Sequence, residues 1–280
     1  MFVRRFNENL IKQLLEEDLY QQRLAKDVEK GNVFPAIRKN SIGFYYCGGN
    51  LFSFNGKFQT HLKYASVLNY DKNYITEPDL HIVKPIATFA EGYDRIKENC
   101  SLYSGVETAS VANIYSKNSY VCSPKDTVVL DIEISFGSED EDRNQNRIDM
   151  LLYNKIEKRL RFYEAKHFTN KEIWSQVGKK PKVVKQIERY NRQIQKDQDH
   201  ILQGYKDYVD IVNELFNLNM STPTAMDSEV VLLIFGFDRD QLQGRFKTLL
   251  KDDHSLDGIQ HYAIGDESKI ELGNVWRRFK

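Results

Sequence analysis

Residues 127–168 decide how this chain folds: TVVLDIEISF (127–136), GSEDEDRNQN (137–146), RIDMLLYN (147–154), the charged turn KIEK (155–158) and RLRFYEAKHF (159–168). Three runs rich in Val, Ile, Leu, Phe and Tyr, parted by charged or Gly-containing connections, predict an antiparallel meander. Acidic residues interrupt these runs where a core strand would not want them. Asp149 sits between Ile148 and Met150, and Glu164 and Lys166 flank Ala165. Strand side chains alternate faces, so Glu164 and Lys166 point one way and Ala165 the other. If the second and third runs pair as a hairpin, Asp149 falls across from that couple. Two carboxylates and one ammonium then converge at the end of a sheet. Two oxygen ligands suit a hard cation such as Mg²⁺, which keeps several waters and a substrate phosphate as its other ligands. Such a metal polarises a phosphoryl oxygen and lowers the pKa of bound water, while a neighbouring Lys orients that water or neutralises developing charge. The chemistry indicated is hydrolysis of a phosphodiester.

Working outward, the 280 residues are long enough to bury a real core. Forty basic residues balance forty acidic ones, so any nucleic-acid surface has to be local. Three widely spaced cysteines, with no CxxC, argue against a disulfide framework or a zinc site and for a reducing compartment. The N-terminus lacks an apolar signal core, and no run approaches membrane-spanning length. A cytoplasmic protein with no membrane partner is expected.

Apolar residues at three- and four-residue steps predict a helix over residues 6–30, stopped by Gly31. Residues 42–58 carry two aromatic runs about a Gly48-Gly49-Asn50 turn, with Asn55-Gly56 as a second turn signal. They read as a hairpin or meander whose aromatics serve as core or, less favoured, as a base-stacking surface. Residues 69–85 read as an irregular connection, and 89–117 as helix interrupted near Gly105. After the meander, residues 155–192 hold twelve Lys or Arg against four Glu. This basic tract follows the proposed active strand, where phosphates have to approach. Within it, Pro181 starts a helix that places Gln186 and Tyr190 on one face. A further helix is expected over 199–216, a buried strand over 229–237, a helix over 238–251, a short strand over 260–264, and a final helix docking Trp276.

Asp149 followed by Glu164-Ala165-Lys166 on the next strand resembles the PD-(D/E)xK motif of the restriction-endonuclease-like nuclease superfamily, with Ile148 where the usual Pro would stand. Gln186-x-x-x-Tyr190 in the helix after the ExK strand resembles the additional motif of its RecB-like branch. The resemblance covers roughly residues 89–237. It implies an α/β protein with an α-β-β-β-α-β core, a mixed sheet flanked by helices. Residues 1–88 would form an N-terminal helix and hairpin extension, and residues 89–280 the nuclease-like domain. It also implies a Mg²⁺- or Mn²⁺-dependent nuclease, with DNA favoured over RNA as the partner and room for a homodimer. Asp149 and Glu164 would hold the metal with the Ala165 carbonyl, Lys166 would activate the attacking water, and Gln186 and Tyr190 would border the site. Glu107, at the start of the preceding helix, matches a further acidic ligand in many relatives; a helix-start Glu that suits the dipole explains it equally well. Glu133 reads as a secondary carboxylate or a solvated strand residue, and His167 as structural. The alternative is a nuclease-fold nucleic-acid-binding protein that has lost activity.

Overall fold

Asn7 starts the first helix, α1 (Glu8–Glu16), by accepting the Leu10 N–H on its side chain, as an N-cap residue does. Glu17 turns extended and ends it, so the helical stretch expected over 6–30 is broken. It resumes through one π turn into α2 (Ala25–Glu29), and Gly31, at φ +68°, closes it in the left-handed region. Strands β1 (Phe34–Arg38), β2 (Ser41–Tyr46), β3 (Gly49–Phe54), β4 (Phe58–His61) and β5 (Tyr74–Thr76) follow. They form a five-stranded antiparallel sheet in that order. The turn between β2 and β3 centres on Cys47 and Gly48, both at positive φ. That is the pair of left-handed residues a tight hairpin demands, one step earlier than the expected Gly48–Asn50. Phe44, Phe52, Phe54 and Phe58 are buried and in ring contact, so these aromatics are core.

Helices α3 (Tyr93–Leu102) and α4 (Val106–Lys117) come next. The computed structural model describes residues 2–65, 73–82, 87–136, 147–175, 180–251 and 254–279. The acidic connection expected over 138–146 and part of the 69–85 connection lie outside them. The chain divides into two compact units, one of residues 3–124 with 204–220, the other of residues 1–2, 125–203 and 221–280. This division does not coincide with the expected boundary at 88/89. Phe89 packs on Phe52 at 5.2 Å, and Tyr93 stacks on the same ring at 6.1 Å and 9°, which joins the helices after residue 88 to the N-terminal sheet.

The other unit is built on the three apolar runs of residues 127–168. Strands β6 (Thr127–Ile134), β7 (Ile148–Asn154) and β8 (Arg159–His167) form the antiparallel meander. Next comes α5 (Lys182–Phe216), two helical segments that meet at a kink where Asp197 leaves helical geometry (φ −117°, ψ 22°), in line with the two expected helices; its residues beyond Gln203 belong to the first-described unit. Two-residue β9 (Ala225–Met226) pairs with the start of β8. Strand β10 (Val231–Phe235) lies parallel to β8. Every one of its residues is buried, as befits a strand covered on both faces. Helices α6 (Arg239–Gln243) and α7 (Arg245–Lys251) split the expected 238–251 helix at Gly244, and Asp238 caps the first with a capping box. Strand β11 (His261–Ile264) runs parallel to β10, and α8 (Leu272–Arg277) buries Trp276. The sheet order is β11-β10-β8-β7-β6. The protein is thus mixed α/β, with one antiparallel and one mixed sheet accompanied by helices. Among the described residues no helix is long and apolar enough to cross a membrane.

Candidate active site

Strand register brings the acidic residues together. In β7 and β8, Met150 faces Tyr163; one step along the same register, Asp149 lies opposite Glu164. In β6 and β7, Ile132 faces Met150 and Ile134 faces Ile148, which sets Glu133 beside Asp149. Directly opposed residues of an antiparallel pair share a face, so Glu133, Asp149 and Glu164 form a row across three strands, with Lys166 two residues further along β8. Glu133 adopts φ +50°, a left-handed backbone that a β-strand residue other than Gly seldom takes.

Within the row the contacts are specific. The Ala165 N–H donates to Asp149 Oδ2 at 2.7 Å, and the Ala165 methyl is buried on the other face. Lys166 Nζ lies 2.9 Å from Glu164 Oε1 and 3.5 Å from Glu172 Oε2; the Lys166 side chain is 10% exposed and that of Glu164 1%. Gln186 Nε2 donates to both Glu164 Oε1 and Tyr190 Oη, each at 2.9 Å. Both amide hydrogens are thereby used, and the orientation of the carboxamide is set. Glu133 pairs with Arg147 at 3.5 Å.

These side chains line one cavity of about 660 Å³, walled by Glu133, Arg147, Asp149, Glu164, Lys166, Glu172 and, from α5, Lys182, Lys185, Gln186 and Arg189. Its floor is acidic. Its helical wall is basic, because residues spaced three or four apart share a helix face. Arg189 Nη2 is buried without a hydrogen-bond partner among the described residues, a donor in want of an acceptor. Burial and the neighbouring Glu164 carboxylate push the Asp149 carboxyl well above the usual carboxylate range, against the pull of Lys166 and the Ala165 N–H. Burial and Glu164 also raise the Tyr190 phenol.

Of the residues singled out in the sequence, Asp149, Glu164, Lys166 and Gln186 meet in this cavity. Tyr190 is buried behind Gln186 and steadies its amide instead of lining the space. Glu107 opens α4 in the other unit and is not among the lining residues, whose further acids are Glu133 and Glu172. His167 Nδ1 lies 2.7 Å from Thr169 Oγ1, and its ring packs on Phe235. Sequence reasoning did not single out Arg147, Lys182, Lys185 or Arg189 individually; the spacing of the last three with Gln186 was the available signal.

The donor set bears on whether a metal fits. Among the described residues no three His, Cys, Asp or Glu side chains are grouped to hold an ion by themselves. Two adjacent carboxylates, one of them electrostatically strained by the other, suit a hard cation that takes its remaining ligands from water and a phosphate. Compared with known proteins, the chain matches no family model, no curated protein and no solved structure.

Proposed function

We propose that the unit containing β6–β8 is a divalent-metal-dependent nuclease that hydrolyses phosphodiester bonds, with DNA favoured over RNA. In the same reading, its strands and the first part of α5 correspond to the restriction-endonuclease-like core. The convergence of Asp149, Glu164, Lys166 and Gln186 in one cavity beneath a basic helical wall is the observation that carries this reading. Asp149 and Glu164, with the Ala165 carbonyl, would hold Mg²⁺ or Mn²⁺, which when bound polarises a phosphoryl oxygen and makes hydroxide available near neutral pH. Lys166 orients the attacking water and offsets charge that builds on the phosphoryl oxygens. Gln186, itself held by Tyr190, fixes the Glu164 carboxylate so that it presents one geometry to its partners. Lys182, Lys185 and Arg189 neutralise backbone phosphates beside the scissile one.

The test is cleavage of plasmid, linear duplex and single-stranded DNA with Mg²⁺ or Mn²⁺ by the wild type and Lys166→Ala. Loss of a positioned proton-transfer or water-orienting group lowers the rate by roughly 10²–10⁴-fold. Unchanged cleavage by Lys166→Ala removes that residue from the chemistry. Binding of DNA by a wild type that never cleaves it identifies a nuclease-fold binding protein instead.

A further inference from the structure

The sheet of the other unit ends in a feature that its core does not require. Tyr74 on the terminal strand β5 and Tyr103 at the end of α3 are 52% and 59% exposed, beside Leu102 at 75%. Between the two tyrosines runs a continuous series of rings: Tyr103 to Tyr64 at 6.0 Å, Tyr64 to His61 at 5.7 Å, and His61 to Tyr74 at 5.3 Å. The Lys63 ammonium lies over this series, 4.5 Å from the Tyr103 ring centre and 5.1 Å from that of Tyr64.

Hydrogen bonds hold the backbone beneath these rings, and Tyr74 is paired with His61 across β4 and β5. Ser104 Oγ donates to the Cys47 carbonyl at 2.7 Å and anchors the turn that carries Tyr103. Asn99 Nδ2 donates to the Tyr64 carbonyl at 2.7 Å, and the Lys63 N–H donates to His61 Nδ1. Burial and the Lys63 ammonium lower the pKa of that imidazole.

Tyr64 beneath the series is buried and His61 half-buried, so the exposed faces are those of Tyr74 and Tyr103, and exposed aromatic surface of this kind marks binding sites. An apolar patch alone would suit a protein or a lipid. A fixed ammonium over the rings adds charge complementarity to a polyanion whose bases stack on π faces. A duplex keeps its base faces stacked internally, so only an unpaired strand can use such a platform. We infer that Tyr74, Tyr103 and Lys63 form a single-stranded nucleic-acid platform, with the tyrosines stacking on bases and the ammonium meeting the backbone. This surface belongs wholly to residues 3–124 and does not depend on hydrolysis in the other unit.

The test is fluorescence anisotropy of a labelled oligothymidylate with the full chain in EDTA, so that no cleavage intervenes, at two salt concentrations. Tyr74→Ala and Tyr103→Ala are expected to weaken binding roughly 5- to 100-fold each, whereas Tyr103→Phe, which keeps the ring, retains it. Lys63→Ala should reduce the slope of log affinity against log salt by about one. Circular dichroism of each variant confirms the fold, which both exposed positions should leave intact. Wild-type affinity in the two Ala variants, a wild type that does not bind the oligonucleotide, or an equal loss of affinity for a matched duplex would each overturn the inference.

Discussion

Replacing Asp149 by Asn should stabilise the metal-free protein at alkaline pH. Asp149 and Glu164 stand one step beyond the Met150–Tyr163 pair of β7 and β8, and residues at opposed positions hold their Cβ atoms about 5 Å apart. Two carboxylates at that distance repel by about 3 kcal/mol at an effective dielectric of about 20. The Lys166 ammonium, 2.9 Å from Glu164, offsets part of this. An amide oxygen at this position still accepts the Ala165 N–H, so little else is lost, and a net gain of ~1–2 kcal/mol follows. The pH dependence has a definite sign. The folded-state pKa of Asp149 is raised, so the native protein binds more protons than the unfolded chain between the ordinary Asp value and the raised one. Stability attributable to this group is fully present below the ordinary value and is lost as pH rises through the raised one. The advantage of the Asp149→Asn variant is therefore near zero at about pH 4 and grows with pH. Urea denaturation of both proteins in EDTA from about pH 4 to about pH 8 measures it. Saturating Mn²⁺ should reverse the order, since a ligand at about a hundred times its Kd adds about 2.7 kcal/mol to the wild type. A variant less stable than wild type at the alkaline end without metal, or a difference flat in pH, would refute the reasoning.

Two further outcomes concern the fold around this site. Buried Arg161 pairs with Asp227, donates to the Trp276 and Phe279 carbonyls, and lies 4.3 Å from the centre of a Trp276 ring. Arg161→Ala should cost about 3–5 kcal/mol, read as a fall of roughly 6–15 °C in Tm, and a loss below about 1 kcal/mol would show that the cluster is dispensable. Gly236 has φ +84°, and a Cβ there would come within 2.2 Å of the His167 ring. Gly236→Ala should destabilise by about 2–3 kcal/mol from left-handed strain and ring displacement, and a neutral result in urea would contradict the assigned backbone.

The limits of local information explain which elements were legible. Period-two alternation is written in neighbouring residues, so the meander and the shared face of Glu164 and Lys166 follow from sequence alone. The four-residue step of Gln186 and Tyr190 is equally local, as is the apolar run of β10. The break between the two expected helices of α5 was legible too and falls at Asp197, whereas the helix ends at Glu17 and Gly244 interrupt stretches whose apolar periodicity ran on.

Sequence by itself determined the chemical inventory: two acids, a lysine, a glutamine and a basic helix in an order that strands and helices can bring together. Tertiary structure decided which of them meet. Register across β6, β7 and β8 set Glu133, not Glu107, beside Asp149, because pairing joins residues far apart in the chain. Packing of α5 on β8 aimed Gln186 at Glu164 and buried Tyr190 behind it. Aromatic contacts tie Phe89 and Tyr93 to Phe52 of the N-terminal sheet. Strand and helix periodicity are properties of neighbours, whereas register, burial and charge pairing arise only when distant segments close on one another.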